Sequence, residues 1–158
     1  MNINLITVGK IKEKYFTLAI DEYTKRLSRF AKINIIEVSD EKIPDNASEK
    51  EIETIKNAEG DKILSKLPQN SFNIAMCIEG TELPSEKIAQ KISDISMTSS
   101  NITFIIGGSL GLSDAVKEKA MLRLSFGPIT LPHQLMRVVL LEQIYRAFKI
   151  NNNESYHK

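Results

Sequence analysis

The 158-residue chain has only one cysteine and two histidines, and each scarcity excludes a class of site. A single cysteine, Cys77, excludes an intrachain disulfide, so we expect a reducing, cytoplasmic location. Two histidines and scattered carboxylates show no metal-ligand spacing, so no metal is expected. No apolar run approaches the roughly 20 residues that cross a membrane, and the first residues lack a signal-peptide layout.

Composition is that of an ordinary globular domain, with 42% hydrophobic and 26% charged residues. One domain over residues 1–158 is therefore expected. The net charge of +1 is divided unevenly: +3 over residues 1–38, −5 over residues 39–112 and +3 over residues 113–158. A polyanion would be drawn to surfaces built from the two basic ends. Ordinary solvated charge explains the same asymmetry.

Hydrophobic periodicity alternates between strand and helix along the whole chain. Ser48, Ser85 and Ser113 are predicted to cap the helices that follow them. Alternation of this kind favours an α/β fold: a mostly parallel sheet with helices on both faces. Strands are predicted over residues 3–8, 33–38, 72–78, 102–106 and 122–126, and helices over residues 14–30, 48–67, 85–97, 113–120 and 132–148.

A glycine loop follows the fully apolar fourth strand. Gly107, Gly108 and Gly111 lie between that strand and a helix, where parallel sheets bind ligands. Glycine lets a ligand approach the backbone closely. The spacing is not the dinucleotide fingerprint, and no Gly-Lys-Ser/Thr is present, which excludes a P-loop. The residues alone leave open a tight strand-to-helix turn.

A second candidate loop, Gly127-Pro128-Ile129-Thr130-Leu131-Pro132, follows the fifth strand. Its two prolines stiffen the backbone, whose amides and carbonyls can then read an adenine edge. Ile129 and Leu131 can pack on the ring. The alternative is a proline-bounded connection with Pro132 at the start of a helix.

The last helix and the tail carry the remaining polar candidates. The helix is apolar almost all round, which indicates a dimer interface as well as a core. Glu142, Arg146 and Lys149 form a polar stripe on it, for which a local Glu142–Arg146 salt bridge is the plainer interpretation. Tyr156 and His157 follow three asparagines that resemble a flexible hinge; an aromatic ring can stack on a base, and histidine can take a proton. A frayed terminus is the alternative.

Several blocks of the chain together resemble one family, the ribosomal RNA large subunit methyltransferase H family of the SPOUT class. The resemblance covers nearly the whole chain, and the carboxyl-terminal blocks are specific in combination. The blocks are Val8-Gly9-Lys10, Glu22-Tyr23-Thr24-Lys25-Arg26, Ile105-Ile106-Gly107-Gly108, Leu131-Pro132-His133-Gln134-Leu135-Met136-Arg137-Val138, Glu142-Gln143-Ile144-Tyr145-Arg146-Ala147 and Tyr156-His157-Lys158.

The resemblance implies a SPOUT fold with a deep carboxyl-terminal trefoil knot, a homodimer, and S-adenosyl-L-methionine (SAM) as methyl donor. The implied reaction is methylation of N3 of a pseudouridine in 23S rRNA within the assembled ribosome. Glu142, Arg146, Tyr156 and His157 match positions tied to activity. Cofactor binding is implied for Met76, Gly107, Gly108, Gly127, Pro128, Ile129, Thr130, Leu131 and Pro132.

Two positions depart from the family pattern. Met76 stands where leucine is more frequent, a tolerable apolar exchange. The stretch before Tyr156 is variable within the family, and its length and sequence determine how far the tail extends. Three rival functions are a nucleotide-binding oxidoreductase, a catalytically silent ribosome-binding module and a SPOUT enzyme with another RNA target.

Overall fold

The structure, a computed structural model, describes all residues from Met1 to Lys158. Five strands and five helices alternate along the chain, as the periodicity predicts. The strands are β1 (Asn2–Val8), β2 (Lys32–Val38), β3 (Ser71–Glu82), β4 (Asn101–Ile106) and β5 (Leu122–Ser125). The helices are α1 (Lys14–Leu27), α2 (Glu49–Lys66), α3 (Ser85–Ser96), α4 (Asp114–Lys119) and α5 (His133–Asn151).

All five strands pair in parallel, in the order β2-β1-β4-β3-β5. β1 and β4 lie at the centre and are buried almost throughout, which explains why β4 is a continuous apolar run. The prediction of a parallel α/β sheet is therefore confirmed. Parallel pairing also gathers the carboxyl ends of the strands at one edge.

Two separate apolar cores lie on the two faces of the sheet. Successive strand residues point to opposite faces, so Leu5 and Phe104 enter one core while Ile6 and Ile105 enter the other. The larger core packs the sheet against α1, α3 and α5. The smaller core packs it against α2 and α4. Helices thus cover both faces, as predicted.

Two of the three predicted serine caps are confirmed. The hydroxyl groups of Ser48 and Ser113 accept the N–H of the third residue that follows each, Glu51 and Val116. The prediction for Ser85 is wrong because Pro84, with extended backbone, occupies the cap position. Ser85 is already helical, and its hydroxyl donates to Gln143 on α5 instead.

Strand β3 is longer than predicted and contains an irregularity. It pairs with β5 through Met76, breaks register, and pairs again from Thr81. Between these points the backbone of Gly80 lies so close to β5 that an added Cβ would be 2.8 Å from Arg123 and Leu124 backbone atoms. Glycine is therefore required at the bulge.

One buried arginine ties the start of α5 to the sheet. The Arg137 side chain is 1% exposed and donates to the Glu37 carboxylate at 2.8 Å. It also donates to the carbonyl oxygens of Val8 at 3.0 Å and Gly9 at 2.7 Å. Burial lowers the pKa of Arg137, and the bond to Glu37 opposes that shift. The guanidinium thereby joins the carboxyl ends of β1 and β2 to the helix.

The end of α5 is a turn rather than the predicted flexible hinge. Asn151 is the last helical residue, Asn152 is the C-cap, and Asn153 adopts a left-handed conformation with φ of 53°. The N–H of Glu154 then bonds to the carbonyl of Lys149. The tail consequently folds back along the helix.

We predict that Glu37→Ala destabilises the fold, because it leaves the buried Arg137 guanidinium without its counter-ion. The free energy of unfolding, measured by urea titration, is expected to fall by about 2 to 3 kcal/mol. Glu22→Ala is the matched control because it removes an exposed pair with Arg26. That control is expected to cost less than about 0.5 kcal/mol. Equal losses of unfolding free energy in the two variants would show that Glu37 does not stabilise the buried Arg137 guanidinium.

Candidate functional site

A cavity of about 700 Å³ opens where β3, β4 and β5 end. Most of its walls come from three segments: the bulge of β3, the glycine loop after β4 and the loop between β5 and α5. Residues of α2, α4 and the start of α5 complete the lining. The volume is in the usual range for small-molecule sites. The position agrees with the rule that parallel sheets bind ligands beyond the carboxyl ends of their strands.

The cavity gathers nearly all the residues predicted to bind a cofactor. Pro128 is the exception, since it is exposed and does not border the cavity. The predicted residues in the lining are Met76, Gly107, Gly108, Gly127, Ile129, Thr130, Leu131 and Pro132. The two loops, distant from Met76 in sequence, therefore share one space with it.

The glycine loop is both a tight turn and a wall of the cavity. A Cβ on Gly107 would lie 2.8 Å from the backbone of Gly111, and one on Gly108 would lie 3.1 Å from the Val8 side chain. Gly111 itself has a φ of +83°, which favours glycine. Both interpretations of the loop thus hold, because its glycines serve its packing while its outer side borders the cavity.

The loop from Gly127 to Pro132 is fixed where it begins and where it ends. The Ser125 hydroxyl donates to the Ile78 carbonyl at 2.8 Å and accepts the Gly127 N–H at 3.1 Å. Gly127 has a φ of +111°. At the other end the loop enters α5, which Arg137 holds to the sheet. Between these anchors Ile129 leaves 60% of its surface exposed at the mouth of the cavity.

Several lining residues were not predicted from the sequence. The one sequence signal for these residues was Gly80, which indicates the bulge of β3, since an isolated glycine in a strand often marks a bulge. Lys117 forms an ion pair with Glu79 at the cavity rim, and this pairing lowers the pKa of Glu79. The unpredicted titratable residues in the lining are Lys56, Cys77, Glu79, Lys117 and His133.

Cys77 and His133 are uncharged groups in this setting. Burial raises the pKa of the Cys77 thiol, so the thiol stays protonated at neutral pH. Burial, and then the nearby Arg137 cation, lower the pKa of His133. Cys77 is half-buried beside the cavity.

The four predicted catalytic residues form one hydrogen-bonded cluster around Glu142. Its carboxylate accepts Arg146 Nη2 at 2.6 Å, the Tyr156 hydroxyl at 3.1 Å and Gln143 Nε2 at 2.8 Å. The salt bridge from Glu142 to Arg146 expected from their spacing is present. It forms part of a network that reaches the tail.

His157 has a defined tautomer because both of its ring nitrogens are engaged. Nδ1 lies 3.3 Å from Arg146 Nη1, which can only donate, so Nδ1 accepts. Nε2 then carries the hydrogen and donates to Glu86 at 2.8 Å. The pKa of Glu86 is lowered first by a backbone N–H at the start of α3 and then by His157.

Tyr156 is held by its ring as well as by its hydroxyl. The Arg146 guanidinium lies 4.7 Å from the ring centroid, and Tyr145 meets the ring edge-on at 5.0 Å. Burial, and then the bond to Glu142, raise the pKa of Tyr156. The tail is therefore docked on α5, and the frayed-terminus alternative does not describe this structure.

Within one chain the four predicted catalytic residues, called the catalytic cluster below, lie apart from the cavity. None of its four residues borders the cavity, and Met136 is the last α5 residue in the lining. Arg146 is ten residues further along the helix, a rise of about 15 Å. The structure thus builds two half-sites, one for a small molecule and one rich in hydrogen-bonding groups.

Metal-binding groups and membrane-spanning helices were also sought in the structure. No group of three or more His, Cys, Asp or Glu side chains is arranged to hold a metal ion. None of the helices combines the length and the apolar character needed to span a bilayer.

Comparison with known proteins identifies the family to which the chain belongs. The family model described as "Predicted SPOUT methyltransferase" matches residues 1–157. The chain belongs to the SPOUT methyltransferase family. It is 57% identical to the ribosomal RNA large subunit methyltransferase H of Clostridioides difficile (strain 630), with complete coverage of both chains. The protein of that name from Streptococcus gordonii is 58% identical over the same extent. The resemblance inferred from the sequence blocks is confirmed.

A solved structure supports the fold of this SPOUT methyltransferase. It is titled as a probable methylase family protein from Haemophilus influenzae Rd KW20, and the TM-score is 0.52. The match covers 99% of this chain and 70% of that one at 15% identity. At this identity the likeness concerns the fold alone.

We predict that Arg146→Ala releases the tail of this SPOUT methyltransferase from α5. The substitution removes the partner of His157 Nδ1 and the cation that lies over the Tyr156 ring. Backbone hydrogen exchange over residues 154–158 is expected to accelerate at least about tenfold. Arg26→Ala is the control because it removes an i, i+4 pair of the same kind on α1. Unchanged exchange in the Arg146 variant would show that other contacts hold the tail.

Proposed function

We propose that this SPOUT methyltransferase transfers a methyl group from SAM to N3 of a pseudouridine in 23S rRNA, acting on the assembled ribosome in the cytoplasm. The observation that carries the proposal is the cavity, whose walls contain the loops that resemble the SAM-binding loops of the family. The names of the curated relatives support ribosomal RNA of the large subunit as the substrate.

The residues around the cavity fit SAM. Adenine needs apolar surfaces and main-chain groups on a stiff loop, and Leu131 between Gly127 and Pro132 offers both. Met76 supplies a further apolar surface, while Gly107 and Gly108 bring backbone close to the ligand. When bound, SAM would supply an electrophilic methyl group, whose bond to sulfur breaks as it is transferred, and the rest of SAM would leave as a neutral thioether.

The chain must then remove one proton from the base. N3 of pseudouridine is an imide nitrogen, so its N–H bond breaks as the new N–C bond forms. We assign His157 as the group that takes this proton or orients a water to do so. Glu142 already accepts several hydrogen bonds, and its role is to position Arg146 and Tyr156.

Arg146 has two functions in this scheme. Its guanidinium offsets the negative charge that develops on the base or meets a phosphate of the RNA. As it turns toward an anion, it leaves Nδ1 of His157 free to accept a proton. Tyr156 offers an aromatic face on which an unpaired base can stack.

The homodimer belongs to the same proposal. In a dimer, a second copy would cover apolar side chains of the first. Apolar side chains outside the chain's own core support such an interface: Leu135 on α5, and Tyr15 and Leu18 on α1, which are 63% and 58% exposed. Family membership supports the dimer and the deep carboxyl-terminal trefoil knot.

Tritiated-methyl transfer tests the proposed function directly. Labelled SAM is incubated with the protein and with ribosomes from a strain that lacks it, and the labelled nucleoside is identified after digestion. The expected product is N3-methylpseudouridine from 23S rRNA. Label in another nucleoside would contradict the proposed target, and label in free rRNA but not in ribosomes would contradict the proposed substrate.

We predict that Gly107→Ala weakens SAM binding, because the added methyl group collides with the backbone of Gly111 and shifts the cavity wall. The Kd for SAM, measured by calorimetry, is expected to rise at least about tenfold. Ser100→Ala, exposed and outside the lining of the cavity, is the control. Wild-type affinity in a folded Gly107 variant would remove this loop from the cofactor site.

We predict that His157→Ala lowers the single-turnover rate on ribosomes by about 100-fold, since a positioned base is lost. SAM affinity is expected to stay unchanged because His157 lies outside the cavity. Lys158→Ala, the neighbouring change, is expected to affect ribosome binding but not the rate at saturation. A full rate for the His157 variant would exclude it as the base.

A further inference from the structure

A second depression lies beside the cavity. It is an open groove of about 560 Å³ formed by the end of β3, the start of α3 and the middle of α5. Ser125, Phe126 and Gly127 border the groove on one side and the cavity on the other. The remaining lining residues are Glu82, Leu83, Pro84, Ser85, Ile88, Val139 and Gln143.

Four polar side chains border the groove, Glu82, Ser85, Ser125 and Gln143, and the amide of Gln143 is held in one orientation. Gln143 Oε1 accepts the Ser85 hydroxyl at 2.8 Å, and Gln143 Nε2 donates to the Glu142 carboxylate at 2.8 Å. Because a carboxylate only accepts, the nitrogen must face Glu142, which fixes the amide. One N–H and one carbonyl lone pair of Gln143 remain available to a ligand.

The groove connects the two half-sites. One wall, Ser125 to Gly127, also borders the cavity. On the other side of the groove, Gln143 bonds to Glu142, the central member of the catalytic cluster. Leu83, Ile88 and Val139 give it apolar surfaces of the kind that a flat ring requires. A ligand here would lie between a methyl donor and Glu142.

We infer that this groove receives the target base and that Gln143 reads the edge formed by N1–H and C2=O. The inference rests on the proposed function. The amide oxygen accepts N1–H and the amide nitrogen donates to O2. O2 lies between N1 and N3 around the ring, so a base held at this edge turns N3 away from Gln143 and leaves it free to react.

This contact distinguishes pseudouridine from uridine. In pseudouridine the sugar is attached through C5, so N1 carries a hydrogen. In uridine the sugar is attached through N1, which therefore has no hydrogen to donate. A uridine in the groove would leave the Gln143 oxygen facing a substituted nitrogen. Sites built to bond a particular N–H reject analogues that lack it strongly.

The test compares ribosomes that carry pseudouridine with ribosomes from cells lacking the isomerase that makes it. Gln143→Leu removes both hydrogen-bonding groups at nearly constant volume. We expect the ratio of kcat/KM on pseudouridine ribosomes to that on uridine ribosomes to fall by about 10- to 100-fold, while the Kd for SAM stays unchanged. Ser85→Ala, which frees the amide, is expected to give a smaller loss in the same direction.

Gln90→Leu is the matched control, since Gln90 bonds to Asp94 at 2.8 Å on the exposed face of α3. It is expected to leave both rates unchanged. Equal losses on the two kinds of ribosome, or none, would overturn the assignment of Gln143. A wild-type protein that fails to methylate pseudouridine ribosomes would instead overturn the proposed function, so the two failures are distinguishable.

Discussion

Parallel pairing of all five strands is the constraint on which this molecule depends. It brings every strand's carboxyl end to one edge of the sheet, where Met76, Gly107 and Gly127, 20 to 51 residues apart in sequence, can share a cavity. Pairing alone leaves the following helices free to tilt. Arg137 removes that freedom at α5 by bonding to Val8, Gly9 and Glu37. The loop that enters α5 is therefore fixed relative to the strands that face it.

The sequence could predict the features that depend on local periodicity. Alternation in β1, the apolar run of β4 and the serines before α2 and α4 indicate the elements directly, because side-chain burial follows the period of each element. The glycine loop after β4 and the proline loop after β5 then follow from topology. Family resemblance was needed to relate these loops to SAM, since neither has a fingerprint spacing.

Features that depend on distant contacts could not be predicted in this way. The bulge at Gly80 exists because β5 approaches the backbone there, and only Gly80 itself hinted at it. Ser85 is not the cap of α3, and its hydroxyl bonds instead to Gln143, 58 residues away. The tail looked like a mobile end because its bonds to Glu142 and Glu86 cannot be inferred from spacing.

The separation of cavity and catalytic cluster gives the account its chemical logic. The cavity is glycine-rich and largely apolar, as a bound nucleoside requires. The cluster has a carboxylate, a guanidinium, a phenol and an imidazole in one network, groups suited to the proton removal and charge compensation that we propose. The groove at Gln143 lies between them, so the target base would meet both at once.

Hydrogen exchange with and without SAM tests the central claim most directly. The account predicts slower exchange on SAM addition in three segments, residues 76–80, 107–111 and 126–132, and no change over residues 43–52. The three segments should respond together, at one SAM concentration, because they border one cavity. Protection confined to a different part of the chain, or none at a SAM concentration that supports methyl transfer, would contradict the account.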